Sequence, residues 1–391
     1  MNDDKKLHEL VINTIRTLAM DAVQQANSGH PGAPMGLAPV AYMLFNEIMR
    51  YNPSNPDWAN RDRFVLSAGH ASMLQYAILH LTGYDVSLEE IKNFRQLHSK
   101  CAGHPEYELT PGVECTTGPL GQGAANSVGF AIAERWLAHH FNKPGHEIID
   151  YHTYVIAGDG CMMEGITSEA ASLAGHLGLN KLVWIYDSNR ITIEGKTDLA
   201  FSEDVAGRFE SYNWQVQHVD DANDLDSLQT AIKNANAETQ KPSLIIVESH
   251  IAFGSPKKQD TAGAHGAPLG EDEVKATKKF YGWDPEKKFY IPEELDEFRK
   301  KMVARGKNNE TAWQQAFDAY KSEYPELARE FEMIQKGELP PQWEENLPTF
   351  PADEKGVATR SANGKVMNAI AGEIPWLIGG SADLAPSTKT L

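Results

Sequence analysis

The sequence has few cysteines and no long apolar segment. Its 391 residues include three cysteines, Cys101, Cys115 and Cys161, at unrelated spacings, and this number fits a reducing compartment better than a disulfide framework. No stretch approaches the roughly 18 consecutive apolar residues of a membrane helix. The first residues are polar and acidic, unlike a secretory signal or a transit peptide. We therefore expect a cytoplasmic protein with no membrane partner.

Basic residues are also scarce relative to acidic ones. The chain has 36 Lys and Arg against 54 Asp and Glu, for a net charge of −18. Such a charge repels polyanions and argues against a nucleic-acid partner, so an anionic small substrate needs a local binding site. The 41% hydrophobic content is that of an ordinary globular protein, and the length suggests two or three domains at roughly 100–200 residues each.

Short apolar runs alternate with helical patterns over the first 270 residues. The predicted strands lie at 63–67, 154–158, 182–187, 214–219 and 243–249. Helical spacing of apolar residues predicts helices from Leu7 to Val23 and at 125–140, 167–177 and 225–235. Strands that are apolar on both faces and separated by helices predict an α/β fold with a parallel sheet covered by helices on both faces.

The composition changes after residue 270. Positions 271–350 hold 31 charged residues among 80, well above the 23% of the whole chain, which predicts mostly exposed helices. Prolines between 340 and 351 predict a connector. A helix at 360–374 and a strand at 376–380 follow, and these two elements cannot bury a core alone.

Two polar motifs follow neighbouring predicted strands. Gly158-Asp159-Gly160 ends one strand, and Asn189-Arg190-Ile191 ends the next, with 28 residues between Gly160 and Asn189. In a parallel sheet both motifs reach the carboxyl edge, where ligands bind in open α/β folds. A carboxylate, an amide oxygen and a main-chain carbonyl are hard ligands suited to Mg²⁺ or Ca²⁺. The glycines let a diphosphate approach the backbone.

Other interpretations of these motifs are weaker. Gly-Asp-Gly alone is more typical of a turn, and Asn189 alone of a helix cap; the pair at this spacing favours the ligand site. No Walker loop is present, and Gly121-Gln122-Gly123 lacks the third glycine of a dinucleotide fingerprint. Cys101, His104 and Cys115 lack the paired spacing of a zinc framework.

Four histidines lie in loops rich in glycine or alanine. These are His30 in Ser-Gly-His-Pro-Gly, His70 in Ser-Ala-Gly-His-Ala-Ser, His104 in Gly-His-Pro-Glu and His265 in Ala-Gly-Ala-His-Gly. Each alone could be a hydrogen-bonded structural histidine. Together, with several of the loops near predicted strand ends, they indicate one polar pocket that handles hydroxyls and a diphosphate.

These loops, in this order, closely resemble those of transketolases. The resemblance includes Thr-Thr-Gly-Pro-Leu-Gly-Gln-Gly, Gly-Asp-Gly-Cys-Met-Met-Glu-Gly with the later Asn, and Gly-Gly-Ser-Ala-Asp-Leu, and it covers essentially all 391 residues. It implies a thiamine diphosphate fold. It also implies reversible transfer of a two-carbon ketol unit from a ketose phosphate to an aldose phosphate in the pentose phosphate pathway, by a homodimer.

The resemblance further implies a role for each matched residue. The metal is expected at Asp159, Asn189 and the Ile191 main-chain oxygen. Further cofactor contacts are expected at His70, Gly118, Leu120, Gly158, Gly160, Ile251 and Asp383. The catalytic and substrate-hydroxyl contacts are expected to be His30, His104 and His265. The substrate phosphate is expected at Arg360 and Ser387. Glu164 is expected to couple two subunits.

The resemblance implies three segments: a diphosphate-binding domain with its charged helical extension at 1–325, a linker at 326–355, and the start of a pyrimidine-binding domain at 356–391. Full-length transketolases continue further, so we expect an incomplete and inactive chain, a fragment of a homodimer. One alternative is a cofactor-binding subunit of a two-chain enzyme. A weaker one is another thiamine enzyme, such as deoxyxylulose-phosphate synthase or phosphoketolase.

Overall fold

A computed structural model describes residues 3–390. The described residues form five strands and fourteen α-helices. The strands are β1 (Arg63–Leu66), β2 (Thr153–Gly158), β3 (Leu182–Ser188), β4 (Gln215–Val219) and β5 (Ser243–Glu248). The helices are α1 (Asp3–Ala26), α2 (Gly32–Met43), α3 (Ser72–Thr82), α4 (Leu88–Lys92), α5 (Gln122–Phe141), α6 (Asp159–Met163), α7 (Gly165–Leu177), α8 (Val205–Ser211), α9 (Leu225–Ala237), α10 (Glu271–Phe280), α11 (Leu295–Glu323), α12 (Pro325–Gln335), α13 (Thr359–Ala371) and α14 (Ala385–Thr388).

All five strands are parallel, in the order β1-β2-β3-β5-β4. Alternate side chains along each strand enter two separate cores because successive residues point to opposite faces. On β3, Val183 and Ile185 join the core under α1–α3 and α9, while Trp184 and Tyr186 join the core under α5, α7 and α8. The predicted parallel sheet with helices on both faces is confirmed.

The sheet register aligns the two polar motifs. Gly158 of β2 lies opposite Asp187 of β3, and Ser188 of β3 lies opposite Glu248 of β5. Asp159 and Asn189 each follow within two residues of these pairs, so both leave the sheet at its carboxyl edge. The sheet therefore brings together side chains that are thirty positions apart in the sequence.

The described chain divides into two compact units, one up to Phe317 and one from Asp318 onward. The functional boundaries predicted at residues 325 and 355 stay predictions. In the second unit, the predicted helix at 360–374 is α13, but the strand predicted at 376–380 is wrong. A strand needs a hydrogen-bonded neighbour, and the described residues of this unit contain only helices and turns. Leu377 and Ile378 are half-exposed there.

Candidate functional site

A cavity of about 260 Å³ opens at the carboxyl edge of the sheet. It lies where β2 and β3 end and is closed by the loops that follow α1 and β5. Among the residues predicted from the sequence, those that line it are His30, His70, His104, Gly118, Leu120, Gly158, Asp159, Gly160, Asn189, Ile191 and His265. The structure thus brings eleven of the sixteen predicted site residues into one cavity.

Asp159 is a buried carboxylate at the base of this cavity. One carboxylate oxygen accepts a hydrogen bond from the Tyr186 hydroxyl at 2.6 Å, and the other accepts one from the Arg190 main-chain N–H at 3.0 Å. Burial raises the pKa of Asp159 to about 6, even though both hydrogen bonds lower it. Within the described chain Asp159 forms no ion pair. A buried carboxylate without a counter-charge is costly, so a cation suits this position.

The Asn189 amide is held by a second buried carboxylate. Its Nδ2 donates to Asp187 Oδ2 at 2.7 Å, while its Oδ1 accepts from the Ile191 main-chain N–H at 2.9 Å. The Ser249 hydroxyl, at the end of β5, donates to the other oxygen of Asp187. Burial raises the pKa of Asp187 to about 7. These contacts fix which side of the Asn189 amide carries the oxygen.

The donor set fits a hard divalent cation. Asp159, Asn189 and the main chain at Ile191 offer oxygen ligands of the kind that Mg²⁺ and Ca²⁺ prefer. Between residues 5 and 390, no three His, Cys, Asp or Glu side chains form a group that could hold a metal. A site here would therefore combine one carboxylate with amide and main-chain oxygens and leave other positions to the ligand.

Gly158 leaves room for a ligand beside Asp159. A Cβ built on Gly158 would meet only the Ala68 Cβ, at 3.9 Å. A side chain at position 158 would therefore occupy the cavity instead of packing against protein. Gly160 is restricted differently, because its Cβ would lie 2.8 Å from the Leu120 side chain. Gly158 thus leaves its main chain accessible from the cavity, as close approach of a diphosphate group requires, while Gly160 packs against Leu120.

Three histidine rings meet across the cavity from these glycines. Ring centroids are 5.0 Å apart for His30 and His70, 5.6 Å for His30 and His265, and 5.0 Å for His70 and His265. Burial lowers the pKa of His30 to about 4 and that of His70 to about 3, and it also lowers the pKa of His265. The Nδ1 atoms of His30 and His265 are buried without a hydrogen-bond partner, so both are available to a ligand, and burial disfavours the charged form of both rings.

His104 lines the cavity and lies in an exposed loop. Hydrogen bonds from α3 to the main chain of this loop hold it in place. The Tyr76 hydroxyl lies 3.1 Å from the His104 carbonyl oxygen, and the Ser72 hydroxyl donates to the Gly103 carbonyl at 3.0 Å. Gly118 lies against the His104 ring in a conformation with φ of +143° that side chains rarely adopt. The imidazole is thereby presented to the cavity by a loop that α3 anchors.

The other predicted site residues lie elsewhere. Ile251 is fully buried and packs against Gly32, and Glu164 is exposed at the start of α7. Arg360, Asp383 and Ser387 are exposed residues of the second unit. Within that unit, Arg360 Nη1 donates to Ser387 Oγ at 3.3 Å, so the two predicted phosphate contacts are neighbours.

Several residues that line the cavity are not among those predicted from the sequence. They are Ala33, Ala68, Asp187, Thr192 and Ile193. Asp187 had a readable signal, because it is a carboxylate at the end of a buried strand, two residues before Asn189. The alanines and Ile193 gave no such signal, since an apolar residue that lines a ligand cavity resembles any core residue.

The fold and the cavity define a ligand-binding α/β domain, and comparison with known proteins identifies its family. Residues 7–340 match the family described as transketolase, thiamine diphosphate binding domain. The transketolases of Halalkalibacterium halodurans and Nostoc sp. are 54% and 55% identical over 387 and 390 residues, 99% of this chain. The chain belongs to the transketolase family.

Solved structures similar to this chain are also transketolases. A structure of the Pichia stipitis transketolase in complex with sedoheptulose 7-phosphate has a TM-score of 0.94 and 49% identity, over 98% of this chain and 57% of that one. The Leishmania mexicana transketolase has a TM-score of 0.94 and 45% identity over the same shares. The chain spans 58% of the length of its Halalkalibacterium and Nostoc relatives. None of the described helices is both long and apolar enough to cross a bilayer.

Proposed function

We propose that this chain provides the diphosphate- and metal-binding half of a transketolase active site. The protein that contains it would transfer a two-carbon ketol unit from a ketose phosphate to an aldose phosphate. The observation that carries the proposal is the convergence of Asp159, Asn189 and three neutral histidines on one cavity. Phosphoketolase or deoxyxylulose-phosphate synthase activity gains no comparable support.

Each group has a physical role in this proposal. Asp159, Asn189 and the Ile191 carbonyl would hold Mg²⁺ or Ca²⁺, and His70, Gly158 and Gly160 would contact the diphosphate, with Gly118, Leu120 and Ile251 around the rest of the cofactor. When bound, thiamine diphosphate supplies the nucleophilic carbon that receives the two-carbon unit.

The histidines would act on the substrate. His30 and His265 lie together, and each has a buried, unpartnered Nδ1, so they suit hydrogen bonds to the donor's hydroxyl groups and removal of a hydroxyl proton. Neutral imidazoles can accept a proton at neutral pH, which general base chemistry requires. His104 would bind the hydroxyl at the other end of the two-carbon unit.

Sugar phosphates are the proposed substrates. Structures of the Pichia stipitis transketolase contain xylulose 5-phosphate or sedoheptulose 7-phosphate. In this chain the neighbouring Arg360 and Ser387 offer a guanidinium and a hydroxyl to a phosphate, and a guanidinium fork matches phosphate oxygens. Asp383 would lie near the cofactor ring. This activity would place the protein in the pentose phosphate pathway.

We also propose a homodimer in which Glu164 couples the two subunits. Glu164 precedes a helix whose outer face is apolar, with Ile166, Leu173 and Leu177 at 36%, 46% and 39% exposure. An exposed apolar helical stripe is typical of an interface. The cytoplasmic location stays a prediction, and the relatives include a chloroplastic transketolase from Spinacia oleracea.

A ketol-transfer assay tests the activity. The protein that contains this chain should convert xylulose 5-phosphate and ribose 5-phosphate to sedoheptulose 7-phosphate and glyceraldehyde 3-phosphate only with thiamine diphosphate and a divalent metal. Arg360→Ala should raise the KM for phosphorylated donors roughly tenfold, because a hydrogen bond to a charged group is lost. The KM for unphosphorylated donors should stay unchanged. Arg329→Ala, an exposed arginine of α12, is the matched control. Equal losses for both donor classes would refute the phosphate role, and no transfer at all would refute the function.

A further inference from the structure

Arg95 lies beside the cavity and contacts the segment that carries His30. It follows α4 and has a left-handed main-chain conformation, with φ of +63°, held by a hydrogen bond from its N–H to the Cys101 carbonyl at 2.9 Å. Its Nη1 donates to Ser28 Oγ at 2.7 Å. Ser28 is two residues before His30, so the guanidinium is tied to this histidine loop.

The other side of the same guanidinium lies against the His104 loop. A Cβ built on Gly103 would be 3.3 Å from Arg95 Nε and 3.5 Å from its Cζ. Gly103 directly precedes His104, and the absence of a side chain there lets the planar guanidinium pack against the backbone. Arg95 therefore lies between two loops that each present a histidine to the cavity.

The charge of Arg95 is not matched by a carboxylate. Its Nε is buried with no hydrogen-bond partner, and over the described part of the chain it forms no ion pair. The guanidinium is 5.5 Å from the Phe94 ring centroid. A positive charge that is left unpaired beside a cavity raises the local potential and disfavours further positive charge.

We propose that Arg95 is a positioning residue for the proposed ketol transfer: its guanidinium joins the His30 and His104 loops and places beside both imidazoles a positive charge that has no ion-pair partner among the described residues. This inference rests on the proposed function, because it assigns those imidazoles to substrate hydroxyls. Arg95 itself would contact no reacting atom. Its two effects, a hydrogen bond to one loop and a charge near both rings, can be separated by substitution.

The electrostatic surroundings support the second effect. Burial is the largest cause of the lowered pKa of His30, followed by His265, Arg95 and His104. For His104, burial comes first and Arg95 second, while Glu106 acts in the opposite direction. His70 also faces His30, with ring centroids 5.0 Å apart. Among the described residues, Arg95 is thus the one side chain that lowers the pKa of both His30 and His104, and it can be removed without touching a cavity histidine.

The test compares three variants and a control. Arg95→Met removes the charge and the hydrogen bond, Arg95→Lys keeps the charge, and Ser28→Ala removes only the hydrogen-bond acceptor. The control is Lys100→Met, which removes a positive charge from the same loop, where Lys100 pairs with Asp85 at 2.6 Å. Histidine titration is followed by NMR on the chain without ligands, and the KM for xylulose 5-phosphate comes from the ketol-transfer assay.

In Arg95→Met the pKa values of His30 and His104 should both rise toward the ordinary histidine value, and the KM should rise roughly tenfold. Arg95→Lys should titrate like the wild type. Ser28→Ala should raise the KM several-fold with unchanged titration, which keeps the inference testable if Arg95→Met does not fold. Lys100→Met should change neither quantity.

Unchanged titration and KM in Arg95→Met, or an equal pKa rise in Lys100→Met, would overturn the inference. Because the titration uses no substrate or cofactor, its result is separate from the fate of the proposed function. Wild-type ketol transfer with an unaffected Arg95→Met variant would reject the role of Arg95 and leave the function standing. A shifted titration without ketol transfer in any variant would instead reject the function.

Discussion

At the scale of single residues, Asp159 shows the conflict between stability and ligand binding most clearly. Its carboxylate is 4% exposed and has no counter-ion among the described residues, and its pKa is raised from 3.8 to about 6. The metal-free fold therefore holds a proton more tightly than the unfolded chain does. Above pH 6 the ionised carboxylate lowers the free energy of unfolding. This destabilisation disappears as the pH falls toward 4, because the carboxylate becomes protonated in the folded chain.

We predict that Asp159→Asn stabilises the metal-free protein while it abolishes metal-dependent cofactor binding. The neutral amide removes a buried charge, so the free energy of unfolding at pH 7 should rise by about 1–2 kcal/mol. Urea unfolding without metal measures this change, and titration calorimetry with Mg²⁺ and thiamine diphosphate measures binding. Asp220→Asn, an exposed aspartate, should alter neither. Retained cofactor affinity in Asp159→Asn would remove the metal assignment.

A pH dependence follows from the same carboxylate. Metal binding needs the ionised form, so Mg²⁺ affinity should be nearly constant from pH 8 to 7 and fall about tenfold per unit below pH 6. Calorimetric titrations in buffers from pH 5 to 8 measure the slope. An affinity that stays constant down to pH 5 would contradict Asp159 as a ligand with this raised pKa.

At the scale of elements, the strands were the most predictable feature and the contacts between them the least. Each predicted strand of the sheet agrees with the structure within one residue at either end, because most of these runs are apolar on both faces and can be recognised directly in the sequence. The order β1-β2-β3-β5-β4 is a long-range property, and it alone places Ser249 beside Asp187. The prediction of a strand at 376–380 is wrong for the same reason, because its apolar residues do not show whether a neighbouring strand is present.

The link between α1 and α10 gives a prediction at this scale. Lys278 Nζ contacts Asp21 Oδ1 at 2.6 Å, and their side chains are 1% and 2% exposed. Because removal of one partner leaves a buried charge, Lys278→Met should lower the free energy of unfolding by about 3–5 kcal/mol. Lys278→Met with Asp21→Asn should recover much of that loss, and Lys279→Met on the exposed side of α10 serves as control. Urea unfolding of these three variants measures the changes. A decrease in the free energy of unfolding of less than about 1 kcal/mol for Lys278→Met would contradict a buried ion pair.

At the scale of the whole molecule, the net charge of −18 has the same sign as the predicted anionic ligands. The residues that line the cavity include no lysine or arginine, and their histidines have lowered pKa values. A bound cation, together with the guanidinium of Arg95 beside the cavity, would supply the local positive charge that a diphosphate needs. The negative net charge of the chain is therefore compatible with the proposed anionic ligands.

The apolar face of α7 gives a prediction about assembly. Ile166→Asp with Leu173→Asp should convert the proposed dimer to a monomer, because it places two charges in a buried apolar interface. Sedimentation of the protein that contains this chain measures the change, with Leu97→Asp, at an exposed apolar residue outside this face, as the control. A double variant that sediments like the wild-type dimer would exclude this face from the interface.

We propose that one cavity holds both the metal and the diphosphate. Crystals of the chain grown with thiamine diphosphate and Mn²⁺, measured at a wavelength where manganese scatters anomalously, test it most directly. We expect one strong anomalous peak bounded by the Asp159 carboxylate, Asn189 Oδ1 and the Ile191 carbonyl, with diphosphate density against Gly158. A metal peak elsewhere, or diphosphate density away from these residues, would contradict it.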